Sequence, residues 1–409
     1  MEGEGDNILM KHIERKRYLD RLMNVRGTPD IKIITGVRRC GKSVLLRDFM
    51  TAVEDEEEGS VLFIDFNDIA FEALKDYHRL FDYIEARGRR AGRNCLCIDE
   101  VQECVGFERV IDSLHNGGEY DIYLTGSNAF LLSSDLATLF TGRYLEINIF
   151  PFSFAEYCLY YEGGEELFDD YVLRGGMAGS FAYADEEDRR TYLQGVYNTI
   201  AERDLAARYR IKNIPMVRRI MDFLMDNTGN LTSSASISKA LQERGGDANH
   251  VTVGNYIDYL CNAFLFYKAQ RFDLKGKKYL SSGSKYYLCD TGFCFAMQGE
   301  RNMDFGRVYE NIVYLELRRR GYEVYVGKLY EKEVDFVAKR GGELFYIQVA
   351  DDISRQETMT RETRPLLAIR DAHPKWLLAR TRHGVYSFEG IIVKDIAAWL
   401  LDGQNAPIS

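Results

Sequence analysis

The sequence predicts an α/β fold: a nucleotide-binding core with a parallel sheet comes first, followed by a mostly helical stretch and a second α/β module. Three observations carry that expectation. The apolar run Ile31–Thr35 enters the pattern G-x-x-x-x-G-K-[ST] at Gly36 to Ser43 and leaves it into Val44, Leu45, Leu46 and Phe49, an apolar helix face. A second apolar run, starting at Asn94, ends in the carboxylate pair Asp99-Glu100. Beyond residue 300 the order is helix, three strands, helix, strand, with acids at Glu310 and Asp335.

Composition bounds the rest. The chain has 409 residues, 46% of them hydrophobic, enough for the cores of two or three domains. Its apolar runs fall well short of the roughly 20 residues a membrane span needs, and its first residues are acidic rather than signal-like, so the expectation is a cytoplasmic protein with no membrane partner. The net charge of −10 disfavours nucleic-acid binding over the whole surface and leaves only a local basic patch for it. Eight cysteines show no metal-ligand spacing; Cys95 and Cys97 lie two apart on an apparent strand and share a face, as core thiols do. The acidic run from Glu54 to Glu58 reads as a solvated loop.

Taken in order, residues up to about 30 read as a leader helix, with Ile13, Tyr18, Leu19, Leu22 and Met23 near helical spacing beside Arg15, Lys16 and Arg17. The glycine-punctuated loop Gly36, Val37, Arg38, Arg39, Cys40, Gly41, Lys42, Ser43, with Val44 after it, is a phosphate cradle. Its backbone amides wrap a polyphosphate, Lys42 reaches the β- and γ-phosphates, and the Ser43 hydroxyl holds Mg²⁺. Strands follow at Val61 to Phe66 and Asn94 to Glu100. The second of these puts two acids at the carboxyl edge of a parallel sheet, where ligands bind, so Asp99 is expected to hold Mg²⁺ and Glu100 to polarise the attacking water. A fourth strand from Asp121 ends in Thr125, Ser127 and Asn128, candidates for sensing the γ-phosphate. Arg143, before a fifth strand from Leu145 to Phe150, is either an arginine finger or half of a structural ion pair.

The phosphate loop with Val37-Arg38-Arg39, the strand Ile98-Asp99-Glu100-Val101-Gln102, Thr125-Gly126-Ser127-Asn128, Gly142-Arg143 and Pro151-Phe152-Ser153-Phe154-Ala155-Glu156-Tyr157 together resemble the AAA-type P-loop ATPase family whose members carry a C-terminal DUF4143 domain. The resemblance implies ATP and Mg²⁺ as ligands. It also implies a sheet in which one strand lies between the phosphate-loop strand and the Asp-Glu strand. The chain departs from the family at Gly175-Gly176-Met177-Ala178, where Gly-Gly-Phe-Pro is frequent, which affects a local turn. The family's Arg-Asp pair matches Arg203-Asp204, with Arg203 either near nucleotide from a lid or in an ion pair.

The expected domains are 1–160, the ATPase core; 161–213, a helical lid; 214–299, which resembles a winged helix; and 300–409, which is similar to the PD-(D/E)xK, restriction-endonuclease-like fold. Lys268, Arg271, Lys275, Lys277, Lys278 and Lys285 form a basic wing suited to phosphate contacts with DNA, although the third helix carries Asp258 and little positive charge. In the last module Glu310, Asp335 and Gln348 fall where such nucleases hold Mg²⁺, but Ala350 stands where the catalytic lysine would be, so nuclease activity is not expected. The functional expectation is a Mg-dependent ATPase acting on nucleic acid, possible as a homo-oligomer if an arginine reaches a neighbour's nucleotide. The alternative is a nucleotide-dependent regulatory switch that binds a protein partner.

Overall fold

The computed structural model describes residues 11–56, 61–88, 94–126, 140, 142–243, 249–276, 278–299 and 304–402. The chain divides into two compact units, one of Glu14–Phe150 and one of Pro151–Ser409 with Met1–Ile13.

In the first unit α1 (Lys16–Asn24) precedes β1 (Ile31–Thr35), α2 (Lys42–Glu56), β2 (Val61–Asp65), α3 (Tyr77–Gly88), β3 (Asn94–Asp99), α4 (Phe107–Gly117), β4 (Tyr120–Thr125) and β5 (Tyr144–Asn148). The strands form one parallel sheet in the order β2-β3-β4-β1-β5. Every residue of β1, β3 and β4 is buried, as expected for a parallel sheet covered on both faces. The order puts β4 between the phosphate-loop strand and the Asp-Glu strand, the layout the family resemblance implied. All eight cysteines are free, and the sulfurs of Cys95 and Cys97 lie 3.8 Å apart on one face of β3.

One polar pair sits inside this sheet. Lys32 of β1 is fully buried, with its Nζ 2.5 Å from Asp121 Oδ1 on β4 and 2.8 Å from the Thr28 carbonyl. Asp121 Oδ2 accepts from Gly27 N at 2.8 Å and from the Tyr123 hydroxyl at 3.1 Å. Removing one partner of such a pair leaves the other charge buried and uncompensated. Asp121→Ala is therefore expected to destabilise this unit by about 3 kcal/mol, read as an earlier urea midpoint; an unchanged midpoint would count against a stabilising role for the pair.

The second unit begins with α5 (Phe154–Tyr161), whose first turn is a reciprocal capping box between Ser153 and Glu156. This box gives the Pro-Phe-Ser-Phe-x-Glu segment a local physical basis. Then come α6 (Phe168–Arg174) and α7 (Glu186–Thr199), which widens into a π-turn over Ile200–Leu205 holding Arg203 and Asp204. The helices α8 (Ile214–Asp226), α9 (Ser234–Glu243) and α10 (His250–Asn262) and the strands β6 (Phe266–Asp273) and β7 (Lys278–Leu288) follow. After them come α11 (Thr291–Gln298), α12 (Phe305–Arg319), β8 (Glu323–Leu329), β9 (Lys332–Arg340), β10 (Glu343–Ala350), α13 (Gln356–Leu367), β11 (Lys375–Ala379), β12 (Tyr386–Phe388), β13 (Ile391–Asp395) and α14 (Ile396–Leu401).

The eight strands of this unit form one sheet in the order β12-β13-β11-β10-β9-β8-β6-β7. The strand pair expected as the wing of a separate winged helix is therefore an edge of the same sheet as the nuclease-like strands, with β6 running parallel to β8 from Arg271 to Asp273. Three helices and a hairpin are where the sequence puts them, but the hairpin's ladder continues into the last module. Strand pairing between distant segments leaves no local signature in sequence.

The glycine pair at 175–176 is explained by close packing. Gly175 has φ +70°, and a side chain there would strike the Asp290 carboxylate. A side chain at Gly176 would strike the Phe152 backbone, with which it shares the hydrogen bond Phe152 N to Gly176 O at 2.7 Å. Asp290 caps α11 and accepts from Gly292 N at 2.9 Å and Gly176 N at 2.6 Å.

Candidate nucleotide-binding site

The site is built at the carboxyl edge of the parallel sheet. The chain leaves β1 at Gly36, whose φ of +147° and packing against the Ile149 carbonyl admit only glycine. It passes Arg39 at φ +64° and re-enters a helix through Gly41 at φ +98°. Val37 and Cys40 are buried, Arg38 is half-buried and Arg39 exposed, so the apolar residues anchor the loop while the backbone turns. Val44, in the first turn of α2, points its side chain to the surface. Lys42 opens α2, and its ammonium folds over the loop, donating to the carbonyls of Gly36 and Val37 at 3.1 Å each.

Asp99 ends β3, fully buried. Its Oδ1 accepts from the Thr125 hydroxyl of β4, and the Ser43 side chain lies close enough to favour the ionised carboxyl. Asp99 Oδ2 is buried without a hydrogen-bond partner. Burial pushes its carboxyl above the ordinary range; the Ser43 side chain and the Thr125 hydrogen bond pull it down, and the negative charges of Glu100 and Asp65 push it up again. Asp65, the register partner of Asp99 on β2, is bound by Arg47 at 2.8 Å. Glu100 takes a left-handed conformation, φ +53°, as the strand ends. Its amide donates to Thr125 Oγ1 at 3.1 Å, and its Oε2 accepts from the Gln102 side-chain amide.

A divalent cation fits this donor set. Ser43 and Asp99 bring hard oxygens together below the loop, and a buried carboxylate oxygen with no donor is what a metal ligand looks like before it binds.

The remaining expected residues fall elsewhere. Asn128 and Ser127 lie outside the described residues. Arg143 takes the ion-pair alternative in this chain: its backbone carbonyl accepts from Ile31 N, at the amino end of β1, and its guanidinium pairs with Asp112 at 3.2 Å and Asn116 at 3.4 Å on α4. A five-residue strand at ~3.3 Å per residue separates that edge from the phosphate loop, so Arg143 cannot serve its own chain's phosphate site. Arg203 is exposed on the π-turn.

Two contributors were not assigned a role from sequence. Arg15 is buried, lies over the Tyr18 ring at 4.6 Å and donates to the Cys40 carbonyl at 3.1 Å, bracing the loop from the leader segment. Its signal was a basic triplet next to an apolar helix stripe, which looks the same when solvated. Gln102 holds the Glu100 carboxylate, and a glutamine two residues past an acid carries no signal by itself.

The basic wing is also partly redrawn. Lys268, Lys275 and Lys278 are exposed, Arg271 is half-buried, and Lys277 lies outside the described residues. Lys268 borders a groove of about 520 Å³ with Arg318, Tyr322 and Tyr325. Lys285 does not belong to this surface. It is buried, with Nζ 2.8 Å from both Glu310 Oε1 and Glu333 Oε1 and 3.8 Å from Asp335 Oδ1. A lysine on the inward face of a strand reads in sequence like one on its outward face.

Residues 28–158 match the family model AAA_14, an AAA domain, and residues 165–304 match DUF8612, a domain of unknown function, rather than the DUF4143 domain the resemblance implied. An uncharacterized protein of Haemophilus influenzae is 37% identical over 400 residues, covering 95% of this chain and 98% of that protein. The chain belongs to this AAA-domain family. An uncharacterized protein of Methanocaldococcus jannaschii is 27% identical over 81% of this chain and 78% of its own length. Among solved structures, AMPPCP-bound DnaA from Aquifex aeolicus is similar at TM-score 0.32 and 15% identity, covering 63% of this chain and 88% of that one. Cdc6p from Pyrobaculum aerophilum is similar at TM-score 0.30 and 12% identity, covering 75% and 97%. Among the described residues no helix of this AAA-family chain is long and apolar enough to cross a membrane.

Proposed function

We propose that this AAA-family chain is a Mg-dependent ATPase that couples ATP hydrolysis to a conformational change. The observation that carries the reading is Asp99: a buried carboxylate beside Ser43 and tied to Thr125, with one oxygen unpartnered, directly under a glycine-shaped loop. In this reading the amides of Gly36 to Val44 and the Lys42 ammonium bind the phosphates. Ser43 and Asp99 hold Mg²⁺, which would neutralise phosphate charge. Glu100 orients a water and takes its proton, with Gln102 fixing the carboxylate and Thr125 fixing the Glu100 backbone. Lys42→Ala is expected to weaken binding of a fluorescent ATP analogue by ~100-fold or more, the loss of a charged phosphate contact in a partly desolvated loop; unchanged affinity would remove the loop from the site.

We further propose the domain roles drawn from the sequence: core at 1–160, lid at 161–213, and two binding modules at 214–299 and 300–409. The nucleic-acid reading rests on exposed Lys268, Lys275 and Lys278 with Arg271, and no longer on Lys285. A local patch of that kind predicts modest DNA affinity with a shallow salt dependence, a log–log slope of about −2 to −4, measured by anisotropy at several salt concentrations. The competing reading, a switch for a protein partner, is favoured by α10, which exposes Val251 and Asp258 where a DNA-reading helix would show cations. DNA affinity that stays unmeasurable at low salt would select it. Any action of Arg143 on nucleotide requires a neighbouring copy.

A further inference from the structure

Outside the nucleotide site, the second unit holds a buried cluster of charge. Glu310 projects from α12, Glu333 and Asp335 from β9, and Gln348 from β10, whose strand pairs antiparallel with β9. Three carboxylates brought this close cannot stay ionised without a cation among them. The chain supplies one itself. From β7, three strands from β9 in the sheet order, Lys285 sends its ammonium to 2.8 Å from Glu310 and Glu333 and 3.8 Å from Asp335.

The surroundings fix Glu310 and Asp335 beside that ammonium. The Tyr287 hydroxyl, on the same face of β7, donates to Glu310 Oε1 at 2.6 Å. Asp335 Oδ2 accepts from Val349 N at 2.9 Å, and Gln348 spends its side chain on the Asp335 amide and on Glu362. Spread around the ammonium, these acids are not placed to hold a metal ion as they stand, and among the described residues no other three histidine, cysteine or acidic side chains are. The carboxylates here face an ammonium instead.

We propose that Lys285 is the resident cation of this cluster: its ammonium takes the place a divalent ion would occupy between Glu310, Glu333 and Asp335, and closes the module to metal-dependent chemistry. A lysine is fixed to its strand and carries one charge, so it cannot be chelated away or exchanged, and it staples β7 to α12 and β9. The module then serves as a binding or structural platform that does not cut nucleic acid. Ala350 removes a lysine from the expected position, and Lys285 fills the place of the metal.

The test uses the full chain without nucleotide, titrated with Mn²⁺ and followed by electron paramagnetic resonance. Wild type is expected to show no Glu310-dependent Mn²⁺ site up to millimolar concentration. Lys285→Ala should gain one site, weakened at least tenfold when Glu310→Gln is added. If Lys285→Ala melts below room temperature, Mn²⁺ should restore its melting to near the wild-type value. A wild-type Mn²⁺ site lost in Glu310→Gln would overturn the proposal, as would a folded Lys285→Ala that gains none or an unfolded one that Mn²⁺ does not rescue. Metal-dependent cleavage of plasmid DNA by wild type, abolished in Asp335→Asn, would overturn it as well.

Discussion

Glu100→Gln is expected to lower Mg-ATP turnover by ~10²-fold or more while leaving ATP affinity within a few fold of wild type, a loss in the range of removing a positioned general base. The separation of the two effects follows from where the groups sit. Binding is the work of the loop amides and Lys42, which lie on the turn between β1 and α2. Glu100 lies one residue past β3, in a left-handed conformation that turns its carboxylate away from the strand direction, and Gln102 grips one of its oxygens. Glutamine keeps the size and one acceptor but cannot take a proton. Asp99→Asn should behave differently. It alters the Thr125 hydrogen bond, the influence of nearby Ser43 and the free oxygen together, so Mg-dependent nucleotide affinity and turnover should fall in parallel. Turnover in Glu100→Gln equal to wild type would move the base elsewhere, and turnover absent from wild type would leave a nucleotide-binding switch.

Residues in the nucleotide-binding core were legible in sequence because each requirement there is local. A phosphate loop needs glycine at Gly36 and Gly41 for backbone reasons that no other residue meets, and a buried strand must be continuously apolar until it emits Asp99 and Glu100 at its end. For Arg143 the choice between finger and ion pair was not legible, because it depends on which edge of the sheet the fifth strand starts from, and that depends on pairing with Ile31. Lys285 failed for a related reason. Within β7, Lys278, Lys285 and the serines between them read as a solvated hairpin, and only pairing of β6 with β8 turns the hairpin's inner face toward Glu310 and Asp335. The departure at Met177-Ala178 read as a turn variant, while the glycine pair before it, Gly175-Gly176, is shown by packing to be the socket for Asp290.

That socket leads to the other large effect. Asp290 is buried, and burial pushes its carboxyl up to about 7, against the opposing pull of the Gly176 and Gly292 amides and the Arg319 guanidinium. An unfolded aspartate titrates near 3.9. Between those values the folded chain keeps a proton that the unfolded chain has already released. Stability from this group is therefore greatest below about pH 4 and declines as pH rises through about 7, by on the order of 4 kcal/mol at the limit. Most carboxylates that are paired in a native state push the other way, so the effect must be read as a difference. Asp290→Asn carries no titrating proton, but its amide group meets one of the two backbone donors that the carboxyl accepts from, at a cost of about 1–3 kcal/mol that does not change with pH. The stability advantage of wild type over Asp290→Asn, from urea unfolding of the full chain, should then be larger at pH 5 than at pH 7 and shrink or reverse by pH 8. An advantage that grows with pH would mean that the two amides and Arg319 outweigh burial, and that Asp290 is an ionised cap in the folded protein.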